Sequence, residues 1–175
     1  MESISLIQHL VGYNTVSRDS NLPLIDFIQN YLFDLGVDSR RVLSQDGKKS
    51  NLIATIGPQD EGGVVLSGHT DVVPVDGQEW SSDPFVIRRD NGRLYGRGSC
   101  DMKGFIGIAL SKLPEMKSLK RPIHFALSYD EEVGCLGAPD MIDVISQELP
   151  VPLGVIVGEP TSMRAVTGHK GIVAL

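Results

Sequence analysis

Three near-continuous apolar runs constrain the fold of this chain more than any other feature. They are GVVLSG at 63–68, PIHFALS at 122–128 and LGVIVG at 153–158. None alternates apolar with polar residues, and such runs are typical of strands covered on both faces of a parallel sheet. Helical spacing of apolar residues lies between the runs, at 101–113 and 137–148. The order strand, helix, strand, helix, strand predicts right-handed crossovers and an α/β fold.

The first part of the chain adds two helices and a hairpin to this plan. Apolar residues recur at helical spacing over 2–12 and 20–35. Short strands are predicted at 37–43 and 51–56, joined by a polar hairpin loop. The segment 74–99 is rich in turn residues, so we expect a long loop there. The length of 175 residues suits about one domain, with helices flanking a mostly parallel sheet.

The net charge and the cysteines of the chain indicate which binding partners and which cellular compartment to expect. The formal net charge is −6 and the basic residues are scattered, so neither nucleic acid nor a membrane is expected as a partner. No apolar run approaches the roughly 18 residues of a membrane span. The first residues lack the basic region and cleavage site of a signal peptide. Cys100 and Cys135 form no CxxC motif, and such a pair is typically reduced in the cytosol. We therefore expect a cytoplasmic protein.

Polar residues follow each of the three apolar runs directly. They include one histidine and several acids: His69, Asp71, Asp130, Glu131, Glu132 and Glu159. A further acid, Asp101, stands at the start of the helix predicted over 101–113. In open α/β sheets, ligands bind outside the carboxyl ends of the strands, and parallel strands place those ends at one edge. We therefore expect these side chains to converge, although they are distant in sequence.

A cluster of carboxylates requires compensation, because each charge raises the pKa of its neighbours. A divalent cation reverses this effect by supplying the largest local charge. One histidine with several carboxylates suits Zn²⁺, Mn²⁺ or Co²⁺. A carboxylate bridging two metals about 3.5–4 Å apart would give a two-metal hydrolase centre.

Each residue also has a structural interpretation when taken alone. A single histidine such as His69 is more often structural, and the acids of SYDEE suit a solvated turn. Asp101 would serve as a helix cap without any metal. At three strand ends, nevertheless, the same pattern recurs, in which an apolar strand is followed by a histidine or an acid. Independent turns give no reason for that recurrence, so we favour a site. Asp130 has no assigned role.

Four motifs, in order and spacing, resemble the M20 metallopeptidase and deacylase family: SGHTDVVP, LYGRGSCDMKG, SYDEEVG and VGEPT. The run VGEPTSMRAVTGHKG looks most like the acetylornithine deacetylase branch. The resemblance implies a zinc-peptidase-like catalytic domain that hydrolyses the amide bond of an N-acyl amino acid. The substrate implied first is N²-acetyl-L-ornithine, giving ornithine and acetate in arginine biosynthesis. N-succinyl-diaminopimelate, or the substrate of another M20 peptidase, is the alternative.

The resemblance also implies a role for each motif residue and two divalent metals, Zn²⁺ or Co²⁺ with Mn²⁺ as a third candidate. The metal ligands would be His69, Asp101, Glu132 and Glu159, with Asp101 bridging both ions. Asp71 would orient the ring of His69. Glu131 would be the general base that takes a proton from the metal-bridging water. The peptide between Asp101 and Met102 would be cis.

The chain departs from the family in length, because family members continue well beyond a position equivalent to Leu175. They add a lid or dimerisation domain, a further metal-binding histidine and residues that contact substrate. The resemblance thus implies that 1–175 is the N-terminal part of a catalytic domain, incomplete at the C-terminus and inactive alone. A homodimer is expected for the full-length protein. The rival reading is a truncated metal- or partner-binding fragment. The roles of His169 and Lys170 stay open between hinge and substrate contact.

Overall fold

The computed structural model describes residues 1–116 and 118–168, so His169 and Lys170 lie outside the described residues. The helices are Ser3–Gly12 (α1), Leu22–Asp34 (α2), Lys103–Ser111 (α3) and Ala138–Glu148 (α4). The strands are Ser39–Leu43 (β1), Ser50–Ile56 (β2), Val64–His69 (β3), Arg88–Asp90 (β4), Arg93–Tyr95 (β5), Ile123–Ser128 (β6) and Gly154–Val157 (β7). Within these ranges, no helix combines the length and the apolar character that crossing a bilayer demands.

The main sheet has five strands in the order β1-β2-β6-β3-β7. β3 pairs in parallel with both β6 and β7, whereas β2 is antiparallel to both β1 and β6. Four of the five strands therefore run in the same direction, which confirms the predicted α/β fold with a mostly parallel sheet. The predicted hairpin corresponds to β1 and β2.

The register of the parallel strands brings their carboxyl ends to one edge of the sheet. His69, the last residue of β3, lies opposite Ser128, the last residue of β6. Ser67 of β3 lies opposite Val157, the last residue of β7. The chain therefore leaves all three strands at neighbouring points, and the residues that follow start close together.

Alternating residues of the central strands supply two hydrophobic cores. On one face, α1, α2 and α3 pack on Leu52, Phe125 and Leu127, all of which are buried. On the other face, Met141 of α4 packs with Ile53 and with residues of β3 and β6. Each fully buried side chain of this size stabilises the fold by about 1.5–3 kcal/mol relative to its exposed state. The two cores explain why β6 carries a continuous apolar run.

The third apolar run is exposed, and the prediction that it is covered on both faces is wrong. The side chains of Val155, Ile156 and Val157 are 55%, 53% and 57% exposed. The reason is that β7 is one of the two edge strands of the sheet, and α4 packs over β2, β6 and β3 instead. Among the residues that the structure describes, no strand pairs with the outer side of β7.

The long loop predicted over 74–99 contains a small two-stranded sheet, β4 and β5, which the sequence analysis missed. Each of these strands has only three residues, Arg88–Asp90 and Arg93–Tyr95. Strands of this length carry too few residues to show a period-2 pattern.

We expect the isolated chain to self-associate through β7. An exposed apolar edge strand presents unpaired backbone groups as well as apolar side chains to another chain. The double substitution Val155→Lys and Val157→Lys should lower the weight-average mass in sedimentation at equal protein concentration. Val86→Lys is the matched control, because Val86 is 61% exposed but lies outside the five-stranded sheet. An equal decrease in both proteins, or none in either, would contradict the prediction.

Candidate metal centre

The structure brings the histidine and four acids together beyond the edge of the sheet. The Nε2 atom of His69 lies 2.9 Å from Asp101 Oδ1, 3.7 Å from Glu159 Oε1 and 3.9 Å from Glu131 Oε2. Two groups share His69: one adds Glu131 and Glu159, and the other adds Asp101 and Glu132. In each group the possible ligand atoms all lie within 4.8 Å of one another. The convergence expected from the strand ends is therefore present.

The ring of His69 is held so that one nitrogen faces the acids. The side chain is 1% exposed, and Nδ1 lies 2.8 Å from the carbonyl oxygen of Asp71. A carbonyl oxygen only accepts hydrogen bonds, so Nδ1 is the donor of this pair. In the neutral ring, Nε2 then presents its lone pair to the carboxylates, as a metal ligand requires.

Asp71 connects His69 to the turn that follows β6. Its buried carboxylate accepts hydrogen bonds from the Ser17 hydroxyl at 2.7 Å and from the backbone N–H groups of Glu131 at 3.0 Å and Glu132 at 3.2 Å. Asp71 Oδ1 lies 3.6 Å from His69 Nδ1, so the ring is oriented mainly through the Asp71 carbonyl. Burial alone would raise the pKa of Asp71, but the contacts with His69 and Ser17 outweigh it and lower that pKa. The carboxylate is thus charged at neutral pH.

Asp101 is placed by its buried neighbours. The peptide between Asp101 and Met102 is cis, as the family resemblance implies. Met102 and Lys103 are both fully buried, and Lys103 Nζ donates to the carbonyl oxygen of Tyr13 at 2.7 Å. The helix predicted from residue 101 begins at Lys103 without a side-chain cap. The Asp101 carboxylate contacts His69, so its interpretation as a simple helix cap is wrong.

The remaining charges show the repulsion expected for a carboxylate cluster. Burial, followed by the charge of Asp101, raises the pKa of Glu132 above its ordinary value. Burial also raises the pKa of Glu159, with His69 opposing and Asp101 adding to the shift. For His69, burial lowers the pKa, but Asp71 and Asp101 outweigh burial and raise it to about 9. Without a metal, His69 is therefore protonated at neutral pH, and its charge offsets part of the negative charge of the cluster.

The residues present fit a divalent cation. One imidazole nitrogen with several carboxylate oxygens is a donor set that suits Zn²⁺, Co²⁺ or Mn²⁺. The side chains of Asp101, Glu131 and Glu159 are 50%, 39% and 35% exposed, so an ion can reach them from solvent. His69 is buried and hydrogen-bonded to the Asp71 carbonyl. A cation here would replace the proton that His69 otherwise retains at neutral pH.

Asp130, to which the sequence assigned no role, is buried rather than solvated. Only 6% of the residue is exposed, and its backbone has a left-handed φ of 56°. Both carboxylate oxygens accept from Lys49 Nζ, at 2.6 and 2.7 Å. The three acids of SYDEE therefore divide: Asp130 points into the protein, whereas Glu131 and Glu132 lie with the His69 cluster.

The polar residues that support the site were not predictable from the sequence. Ser17 contacts Asp71 and Lys49 contacts Asp130. Thr15, Asn21 and Thr70 form a further group of hydrogen-bonded side chains. Thr70 Oγ1 donates to the Ser128 carbonyl at 2.8 Å and accepts from Asn21 Nδ2 at 2.8 Å. Thr15 Oγ1 donates to the Thr70 carbonyl at 2.6 Å. These residues stand in polar loop or strand-end segments, where no sequence pattern separates a buried side chain from a solvated one.

Solved structures of other proteins have the same fold as this chain. The chain is similar to human carnosine dipeptidase 1, with a TM-score of 0.73 at 22% identity over 89% of this chain and 37% of that one. An M20 family metallo-carboxypeptidase from Sulfolobus solfataricus gives a TM-score of 0.76 at 22% identity, covering 90% of this chain and 37% of that one. At these identities the likeness shows the fold alone.

Sequence comparison establishes the family. An acetylornithine deacetylase of Buchnera aphidicola subsp. Schizaphis graminum is 37% identical over 99% of this chain and 45% of its own length. The acetylornithine deacetylase of Shigella sonnei is 37% identical over 87% of this chain and 39% of its own length. The chain thus spans less than half the length of these relatives. Residues 65–171 match the peptidase family M20/M25/M40. The chain therefore belongs to this metallopeptidase family.

Proposed function

We propose that the protein acts in metal-dependent hydrolysis of an N-acyl amino acid, and that the substrate is N²-acetyl-L-ornithine. The observation that carries the proposal is the convergence of His69 with four acids at the carboxyl edge of the sheet. The substrate is taken from the acetylornithine deacetylases to which the chain is similar over nearly its whole length. The site would yield L-ornithine and acetate.

Four side chains would hold the metals. His69 and Glu159 would bind one ion and Glu132 the other, while Asp101 would contact both. The 2.9 Å approach of Asp101 to His69, and the place of Glu159 and Glu132 in the two ligand groups that share His69, support all four as ligands. Their division between two ions is taken from the family resemblance. When bound, Zn²⁺ or Co²⁺, with Mn²⁺ as a third candidate, lowers the pKa of water and polarises a carbonyl oxygen.

Glu131 would move the proton. Its carboxylate is 39% exposed and lies 3.9 Å from His69 Nε2, so it faces the same space as the ligand atoms. Its backbone N–H is fixed by Asp71 at 3.0 Å. Glu131 would accept a proton from the attacking water and deliver it to the leaving amine, a role that a carboxylate performs as general base and then general acid. Asp71 would position both His69 and Glu131.

The experiment is a comparison of two substrates on the full-length protein. Loaded with Zn²⁺ or Co²⁺, it should hydrolyse N²-acetyl-L-ornithine with a higher kcat/KM than N-succinyl-diaminopimelate. Release of free amine, followed by mass spectrometry of the product, measures both reactions. Preference for the succinylated substrate would replace the proposed substrate but keep the reaction. Inactivity toward both, with metal bound, would contradict an amidohydrolase of this specificity.

A second candidate is a metal- or partner-binding role for the isolated 175-residue chain. The exposed β7 strand favours it, because an apolar edge suits association with another chain. On this proposal the chain alone binds one metal weakly, associates and turns over no substrate. Two tightly bound metals and robust turnover by the chain alone would overturn it. A homodimer of the full-length protein stays a prediction.

Metal binding should release protons at neutral pH. The pKa of His69 is about 9 without a metal, so the ring is charged at pH 7.5, and a ligand must be neutral. The charged ring stabilises the metal-free fold fully below pH 6.5, and this stabilisation is lost as the pH rises through about 9. Apparent metal affinity should therefore increase up to about pH 9 and then level off.

Titration calorimetry in two buffers of different ionisation enthalpy measures this release. At pH 7.5 we expect about one proton from His69 for each centre filled, in addition to any from the glutamates. At pH 9.5 that contribution should fall to about a quarter of a proton, because the pKa of His69 is about 9. His9 gives the control, because it stands on α1 away from the site, and His9→Gln should not alter the result. Equal proton release at the two pH values would contradict the assignment.

A further inference from the structure

A chain of hydrogen bonds joins Lys49, before β2, to the turn that carries the two glutamates. Lys49 Nζ donates to both oxygens of Asp130, at 2.6 and 2.7 Å, and to the backbone carbonyl of Ser17. The hydroxyl of Ser17 donates to Asp71 at 2.7 Å. Asp71 in turn accepts from the backbone N–H of Glu131 at 3.0 Å. Because Asp130 and Glu131 are adjacent, these contacts close into a ring.

We propose that Lys49 is a positioning residue, which sets Glu131 and Glu132 against His69 by holding the two ends of this ring. The inference rests on the metal-dependent function proposed above. Lys49 binds no metal in this scheme, and its Nζ atom donates to Asp130 and Ser17. Its effect reaches the site through Asp130 on one side and through Ser17 and Asp71 on the other.

Burial makes each of Lys49 and Asp130 depend on the other as its charge partner. Their side chains are 17% and 9% exposed, so both charges are largely removed from water. A partly buried charge that loses its partner is strongly unfavourable, which restricts the turn to conformations that keep the pair. Among the described residues, Lys49 is also the only lysine or arginine that forms an ion pair with the acids of SYDEE. Lys49 is thus the cation that anchors Asp130.

The residue that Lys49 holds, Asp130, has an unusual backbone conformation. Its φ of 56° lies in the left-handed region, which aspartate and asparagine adopt more readily than most residues. This conformation turns the Asp130 side chain inward, while the chain continues to Glu131 at the site. Lys49 therefore holds the residue that directly precedes the turn at 131–134. Lys49 and Asp130 are 81 residues apart in sequence, so only the tertiary fold supplies the contact.

The neighbouring lysine provides a matched control. Lys48 has the same charge and stem, but its side chain is 76% exposed and its Nζ lies 3.9 Å from Asp46. Exposed pairs of this kind contribute little to stability. Lys48→Met and Lys49→Met therefore remove the same group one residue apart, and only the second removes the contact with Asp130.

The experiment compares these variants in the full-length protein with Co²⁺ as the probe. For Lys49→Met we expect Co²⁺ affinity to fall about 10- to 100-fold, as is usual when support of a metal ligand is lost. The visible absorption spectrum of bound Co²⁺ should change, and kcat for N²-acetyl-L-ornithine should fall more than KM changes. Lys48→Met should match the unsubstituted protein. Lys49→Arg, which keeps the charge, should recover part of the loss.

Asp130→Asn tests the carboxylate partner of Lys49. Asparagine also adopts a left-handed φ readily, so the backbone of residue 130 can stay unchanged. It should reproduce the spectral change, and the double variant with Lys49→Met should be no worse than the more impaired single variant, because the residues act together. If Lys49→Met fails to fold, Asp130→Asn decides the question.

Two results would overturn the inference. In the first, Lys49→Met and Asp130→Asn lower only the Tm, while the Co²⁺ spectrum, the affinity and kcat match those of Lys48→Met. The pair would then stabilise the fold without positioning the site. In the second, the unsubstituted full-length protein binds no Co²⁺, which removes the proposed function and this inference with it. Metal binding by the unsubstituted protein therefore separates the two failures.

Discussion

Replacing Glu131 by glutamine in the full-length protein should lower kcat by about 10²- to 10⁴-fold, the usual contribution of a general base. The amide keeps the size of the side chain but cannot accept the proton. The backbone N–H of residue 131 would still donate to Asp71, so the turn should keep its conformation. Metal content should therefore be unchanged. Steady-state kinetics and elemental analysis of the same sample measure the two quantities.

Glu115→Gln is the control for this substitution, because Glu115 is an exposed acid paired with Lys112 and lies outside the cluster. It should leave both kcat and metal content unchanged. Near-full activity of Glu131→Gln would show that another group moves the proton. Loss of metal from Glu131→Gln would instead make Glu131 a ligand, a role that its place in one ligand group with His69 and Glu159 also permits.

Glu132→Ala should produce the opposite pattern and abolish the binding of one metal equivalent. The Glu132 carboxylate lies in one ligand group with His69 and Asp101, so its loss removes a negatively charged donor. Activity should fall with the metal, and excess Co²⁺ should restore only part of it. Metal analysis after gel filtration, together with kinetics over a range of Co²⁺ concentrations, measures both effects.

The metal-free form of Glu132→Ala supplies an independent readout. The pKa of Glu132 is raised by burial and by Asp101, so its charged form is disfavoured in the fold. An acid with a raised pKa destabilises the folded state at neutral pH, and this penalty disappears as the pH falls below its ordinary pKa. Glu132→Ala should thus raise the Tm of the metal-free protein at pH 7 but not near pH 4. A lower Tm at pH 7 would contradict the electrostatic account.

The secondary structure followed closely from local patterns. β6 was predicted at 122–128 and lies at Ile123–Ser128, and α4 was predicted at 137–148 and lies at Ala138–Glu148. These elements bury a continuous run or one helical face, so each leaves a clear period in the sequence. β4 and β5 leave no such period because each has three residues.

The order of the strands in the sheet was harder to predict from local sequence patterns. The position of β2 between β1 and β6, and antiparallel to both, depends on pairing across more than 60 residues of intervening chain. The exposure of β7 was also not predictable from its composition. A continuous apolar run indicates a strand, but the coverage of that strand depends on which helix packs on it.

The sequence by itself determined the α/β class and the set of polar residues that converge at the candidate metal centre. Apolar runs that end in a histidine or an acid must place those groups at one edge once the strands are parallel. His69, Asp101, Glu131, Glu132 and Glu159 could therefore be selected without coordinates. Their individual roles stay predictions until the substitutions above are measured.

The tertiary structure alone decided how those residues are supported. Asp130 resembles its two neighbours in the sequence, yet it is buried against Lys49 while they join the His69 cluster. Likewise, Lys48 and Lys49 are identical in type, but only Lys49 reaches the turn. The physical reason is that burial and ion pairing depend on contacts between distant segments. Local sequence specifies which groups are present, whereas packing determines which of them lose their water and which stay free to react.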